Sequence, residues 1–190
     1  MQQRLASGSA DAQTAHTKPG STCPQIILGI DPSLRGTGFG VIETGQATPA
    51  TLSQGTISCP ANWQLSRCLR EITETLEDIL QKTKPTIAAV EGLFFAQNIR
   101  TALVMGQARG SALAVLAKAG LDVFEIAPRK VKQAIVGYGA AQKEAVAKMV
   151  QTRLALPEMP EPDAADALAI ALTYAQSANS PIPDPSIKPV

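Results

Sequence analysis

Apolar residues along the chain follow two spacings in turn. Residues 25–31 (QIILGID) form a short apolar run closed by a carboxylate and Pro32, and 37–43 (TGFGVIE) and 51–58 (TLSQGTIS) follow as further strand-length segments. Joined by short connections, these three predict an antiparallel meander. From about Trp63 to Gln81 the spacing changes, with Leu65, Leu69, Ile72, Leu76, Ile79 and Leu80 recurring in three- and four-residue steps, the stripe of an amphipathic helix. A strand at 86–91 (TIAAVE), a long helix around 100–119, a strand at 121–126 (LDVFEI) and helices near 128–136, 142–154 and 163–176 complete the pattern. A meander followed by strand–helix alternation predicts an α/β fold, a mixed five-stranded sheet flanked by helices. No internal repeat is visible.

The two ends differ from this pattern. Residues 1–24 (MQQRLASGSADAQTAHTKPGSTCP) have no apolar periodicity and no hydrophobic segment of a signal peptide, and are expected to be a disordered extension. The chain's one histidine, His16, lies there, so histidine-based catalysis is not expected of the folded part. The tail at 179–190 has four prolines and is expected to be irregular, which leaves 25–178 as the folded domain. With 190 residues, 45% of them apolar, the chain suits one globular domain. Its richest apolar stretch, Thr101 to Gly120, is broken by Gln107, Arg109 and Lys118, so no membrane span is expected. Cys23, Cys59 and Cys68 show no CxxC-type pairing, so neither a disulfide framework nor a zinc site is expected, and the compartment reads as reducing and cytoplasmic.

A formal net charge of +1 hides a sorted distribution. From Arg100 to Arg153 there are nine basic residues against three acidic ones, whereas Leu154 to Tyr174 carries Glu158, Glu161, Asp163 and Asp166 and no Lys or Arg. Solvated helix faces would produce the same counts. A basic stretch beside a carboxylate cluster also suits a site that holds a polyanion and a divalent cation.

Four of the acids stand in positions that matter. Asp31 and Glu91 each terminate an apolar strand, where ligand sites of α/β sheets gather, and Asp163 and Asp166 lie three apart on one face at the start of a predicted helix. If the first strand neighbours the fourth and the last helix starts over that edge, all four converge around hard cations such as Mg²⁺. Plainer roles are open to each: Asp163 and Asp166 could cap the helix, Asp31 could open a turn before Pro32, and Glu91 could be an ordinary strand-end charge.

Five segments, ILGIDPSLRGTGFGVIE, AAVEGLFFAQN, GQARGSAL, PRKVKQAIVGYGAAQKEAVAKMV and DAADALAIALTYA, resemble the RuvC family of Holliday-junction resolvases in order and at matching intervals, over roughly residues 26–176. The resemblance implies a ribonuclease H-like fold, a homodimer, and an endonuclease that cuts two strands of a four-way DNA junction symmetrically in recombination and DNA repair. It implies dependence on Mg²⁺, with two ions per subunit and Mn²⁺ able to substitute, and cooperation with the RuvA–RuvB branch-migration complex. The family's acidic set falls on Asp31, Glu91, Asp163 and Asp166, its DNA-contacting lysines on Lys132 and Lys143, and its base-stacking aromatic on Phe94. Core packing is the other reading of Leu93, Phe94 and Phe95. The helix around 100–120 carries Gly106 and Gly110, which allow close backbone approach, either within the subunit or to a twin helix.

Two positions depart from the family pattern. Ser33 follows Pro32 where glycine is usual, which would strain the turn if that position needs a positive φ, and Gly92 stands where many relatives have glutamine. Rival readings are a junction-binding protein without activity, another nuclease of this fold acting on RNA–DNA hybrids, and the phosphate-binding turn of actin-like kinases, which DPSLRGTG also resembles but whose second lobe has no room here.

Overall fold

The computed structural model describes residues 24–92, 98–182 and 184–190. The extension before residue 24 and Phe94, with its neighbours at 93–97, lie outside the described residues. Among the described residues, six strands form one sheet in the order β3-β2-β1-β4-β5-β6. β1 (Ile26–Asp31), β2 (Gly36–Glu43) and β3 (Ala50–Ser58) make the expected antiparallel meander, with a register shift between Val41 and Ile42. β4 (Ile87–Glu91) and β5 (Asp122–Ile126) continue the sheet in parallel with β1. The first and fourth strands are neighbours, as convergence of the acids requires.

The tail corrects the expectation of five strands and an irregular end. Ile187–Pro189 forms β6, antiparallel to β5, pairing Ile126 with Ile187, Glu125 with Lys188 and Phe124 with Pro189. So short a strand leaves no periodic trace, because it is held by backbone pairing to an open edge, where a proline is tolerated. The chain before it is pinned by Asp184, which lies 2.5 Å from Lys130 Nζ and accepts from Ser186 N at 2.9 Å. The Lys130 ammonium and the Ser186 bonds hold the Asp184 carboxyl down to about 2.

Helices cover both faces, in two cores. α1 (Leu65–Thr83) and α2 (Ile99–Lys118) pack on one face, where Leu28, Ile30 and Val90 meet Ile72, Leu76, Ala112 and Leu116. α3 (Pro128–Val136), α4 (Lys143–Arg153) and α5 (Pro162–Ala178) pack on the other, around Ile27, Ile42, Ile126, Ile135, Val150 and Leu168. Because β1, β3, β4 and β5 run the same way, α1, α2 and α3 all begin at the carboxyl edge of the sheet. α4 and α5 begin there too, since Lys143 at the start of α4 and Asp166, just past the first turn of α5, meet beside Asp31. No helix among the described residues is long and apolar enough to cross a membrane.

α5 is the helix that sets the site. Small residues fill its sheet-facing side, where Ala167 and Ala171 lie against Gly29. Gly29 on β1 and Gly38 on β2 lie directly beneath it: a methyl group at Gly29 would run into the Ala167 carbonyl, and one at Gly38 into the backbone of Asp163. Here glycine is needed for close approach rather than for its backbone freedom. The missing side chains lower the first turn of α5 onto the ends of β1 and β2.

Candidate active site

Asp31 ends β1, and Glu91 ends the neighbouring parallel strand, one residue beyond the Ile30–Val90 pairing. Each side chain alternates away from the α1–α2 core side of its strand, toward α5. The two carboxyls share a side-chain hydrogen bond. Burial and the facing charge cannot both be tolerated with two negative charges present. Asp31 is raised above the usual carboxylate range, chiefly by burial, and Glu91 is pushed up to about 8 by burial and by the Asp31 charge.

α5 delivers the other two acids. Its cap position is Glu161, whose side chain makes no capping bond, and Pro162 opens the first turn. Asp163 follows Pro162, lies over Gly36 with Oδ2 2.6 Å from where a Cβ on that glycine would stand, and adds its field to Asp31. Asp166, about one turn on, accepts from Lys143 Nζ at 2.8 Å. That bond raises the Lys143 ammonium above its ordinary value, so it stays charged. The structure thus brings Asp31, Glu91, Asp163, Asp166 and Lys143 together. Lys132, in the middle of α3, is half-buried and makes no ion pair with the four acids among the described residues.

The turn after Asp31 has a brace that the sequence reading missed. Thr37, fully buried, donates from Oγ1 to Ser33 O at 2.5 Å and accepts from Ser33 N at 3.2 Å. A polar residue at an inward position of an apolar strand was the available signal. Ser33 itself has no positive φ, since Lys84 and Ala155 are the non-glycine residues that do among those described, so serine is unstrained there. Gly92 donates its N–H to Ile126 O at 2.9 Å, and a side chain at this position would press on Glu125, which is ion-paired to Arg109.

Among the described residues no three acidic, thiol or imidazole groups stand in a ready coordination array. The donor set nonetheless suits a hard divalent cation, because it is all oxygen and because Asp31 and Glu91 hold a proton where two negative charges would otherwise meet. A stability test follows from that proton. The folded state keeps it on Glu91 up to about pH 8, whereas an ordinary glutamate releases it near 4.5, so the folded state binds more protons in between. In EDTA the melting temperature therefore falls as pH rises from about 4.5 through about 8, and Glu91→Gln flattens that slope. An unchanged slope in the variant would assign the pH dependence to other groups.

A family model described as crossover junction endodeoxyribonuclease RuvC matches residues 27–174. A protein of Heliobacterium modesticaldum named crossover junction endodeoxyribonuclease RuvC is 47% identical over 153 residues, 80% of this chain and 94% of that protein. A protein of the same name from Tolumonas auensis is also 47% identical, over 80% of this chain and 87% of its own length. The solved structure of Thermus thermophilus RuvC in complex with Holliday junction substrate superposes with a TM-score of 0.79 at 34% identity, covering 87% of this chain and 99% of that one.

Proposed function

The chain belongs to the RuvC family of crossover junction endodeoxyribonucleases, and on that footing we propose that it resolves four-way DNA junctions by paired nicks at the Asp31–Glu91–Asp163–Asp166 cluster. The observation that carries the reading is the meeting of these four carboxylates where two parallel strands end beneath the first turn of α5. The reaction is phosphodiester hydrolysis in homologous recombination and DNA repair, in a cytoplasmic setting and in cooperation with RuvA–RuvB.

Asp31, Glu91, Asp163 and Asp166 would hold the Mg²⁺ ions, two per subunit, with Asp31 central because it lies between Glu91 and the two α5 acids. When bound, such ions supply Lewis-acid activation of the attacking water and neutralise charge on the leaving 3′-oxygen, and Mn²⁺ has the same oxygen preference. The protein's own groups do the rest. The Asp31–Glu91 pair shares a proton that a bound cation would displace, and the buried setting would keep bulk water from competing for the carboxylates. Lys143, its side chain largely exposed, keeps its charge and offers a partner for a backbone phosphate where it now holds Asp166. Lys132, in the middle of α3, is assigned to the flanking strand rather than the scissile phosphate. Phe94 is assigned to stacking on junction bases.

Paired nicks require two sites, and α2 offers a surface for a second copy. Ile99 and Leu103 are 81% and 63% exposed, and the positions where Gly106 and Gly110 would carry a Cβ face open space. An apolar helix face with small residues fits a two-fold related twin. Leu103→Lys shifts the protein from dimer to monomer in sedimentation at micromolar concentration, and loses paired cutting with it. A variant that remains a dimer would place the interface elsewhere.

A synthetic four-way junction with a mobile core, incubated in Mg²⁺ or EDTA beside matching linear duplex and RNA–DNA hybrid, tests the function. Symmetric nicks on the junction, absent in EDTA, are the expected result. Binding without cutting would favour the non-catalytic reading, and preferential cutting of the hybrid would favour another nuclease of this fold.

A further inference from the structure

The connection from β3 to α1 carries chemistry that the carboxylate cluster does not use. Arg35 follows the turn after Asp31, and its guanidinium donates to Pro60 O at 2.6 Å and from both terminal nitrogens to Trp63 O at 3.2 Å. Cys59 N in turn donates to Arg35 O at 3.0 Å. Residues 59–63 are thereby fastened to the turn of the site, one residue from Gly36, which lies under Asp163. Arg67, in the first turn of α1, stacks on Trp63 with its guanidinium carbon 3.7 Å from the ring centroid. Arg67 is exposed and has no carboxylate within ion-pair distance among the described residues, whereas Arg70 beside it pairs with Glu74 at 3.7 Å. No acidic residue occurs in the sequence between Glu43 and Glu71.

We propose that Trp63 and Arg67 form a second DNA contact, in which Arg67, braced on the indole, takes a backbone phosphate of the junction on the β3–α1 flank of the carboxyl edge. The proposal rests on the reading of the protein as a junction endonuclease. A guanidinium stacked face-on keeps the N–H groups around its rim free, and phosphate accepts two of them at once. The stack also fixes a long side chain in advance, so less freedom is lost when DNA arrives. Lys143 lies on the α3–α5 face of the same edge. A strand laid across the edge is then gripped on both sides of four carboxylates that by themselves repel it.

Trp63 is the chain's only tryptophan, so indole emission reports on this place alone. Saturating full-length protein with a four-way junction is expected to lower acrylamide quenching of that emission. Arg67→Ala weakens junction binding roughly tenfold and reduces the slope of log Kd against log salt by about one. Arg67→Lys keeps the slope, and Trp63→Phe keeps most of the affinity, outcomes that a merely structural role would not separate. Quenching unchanged by the junction, or an Arg67→Ala protein with the affinity and slope of the unsubstituted chain, would overturn the proposal. If the unsubstituted chain cuts junctions in the same preparation, that failure rejects the Trp63–Arg67 contact alone. A protein that neither binds nor cuts the junction rejects the underlying function as well.

Discussion

Asp31→Asn lowers junction cleavage in Mg²⁺ by about 1000-fold or more while junction binding stays within about twofold. The substitution keeps the side chain's size and leaves an amide that donates to Glu91, so the end of β1 is undisturbed. It removes the charge that, after burial, raises Glu91 most, and with it the carboxylate shared between the proposed cation positions. Loss of that charge stabilisation is worth several kcal/mol, and a thousandfold in rate is about 4 kcal/mol. Binding is spared because phosphate contacts come from basic groups outside the cluster, and one negative charge fewer does not hinder a polyanion. The measurement is cleavage of a mobile junction under single-turnover conditions beside a gel-shift titration. A variant cutting within tenfold of the unsubstituted rate would remove Asp31 from the cluster's chemistry.

Gly38→Ala is the second substitution of large effect, and it touches no carboxylate. The added methyl meets the backbone carbonyl carbon, oxygen and Cα of Asp163, none of which can rotate away as a side-chain tip could. The first turn of α5 must lift from β2, taking Asp163 and Asp166 from Asp31. Overpacking of this kind costs about 2–3 kcal/mol, which lowers the melting temperature by roughly 5–10 °C for a chain of this size. Cleavage falls with it, even below the melting transition, because the acids on α5 no longer face those on the strands. A melting temperature within a degree of the unsubstituted chain, with normal cutting, would show that α5 has slack the packing does not suggest.

These two residues also mark what was legible in the sequence. Asp31 could be found because a carboxylate closing an apolar run at a strand end is conspicuous, and Glu91 repeats the signal. Asp163 and Asp166 could be found as a pair, but only the structure separates them from capping residues, since Glu161 holds the cap position. Gly38 stood in plain view in TGFG, yet nothing in the spacing tells that α5, more than a hundred residues later, lies on it. Lys132 and Lys143 looked equivalent within one basic stretch. They differ because Lys143 opens α4 beside α5, while Lys132 sits in the interior of α3. The strands and helices followed their periodicities closely, and β6 did not, because backbone pairing to an edge needs no particular side-chain pattern. The fastening of residues 60–63 by Arg35 is of the same kind, since main-chain carbonyls are its acceptors.

Among the described residues, all five helices begin at the carboxyl edge of the sheet. Each helix start carries roughly half a positive elementary charge in its unpaired N–H groups. Five such starts ring an edge crowded with carboxylates, and they favour an approaching polyanion although the chain as a whole is nearly neutral. Part of the attraction for DNA is therefore written into the main chain. That part has no pKa, so raising the pH until lysines lose their protons leaves it in place. No side-chain substitution that keeps the fold can delete it, and a lysine-to-alanine scan of this edge has a floor set by the topology itself.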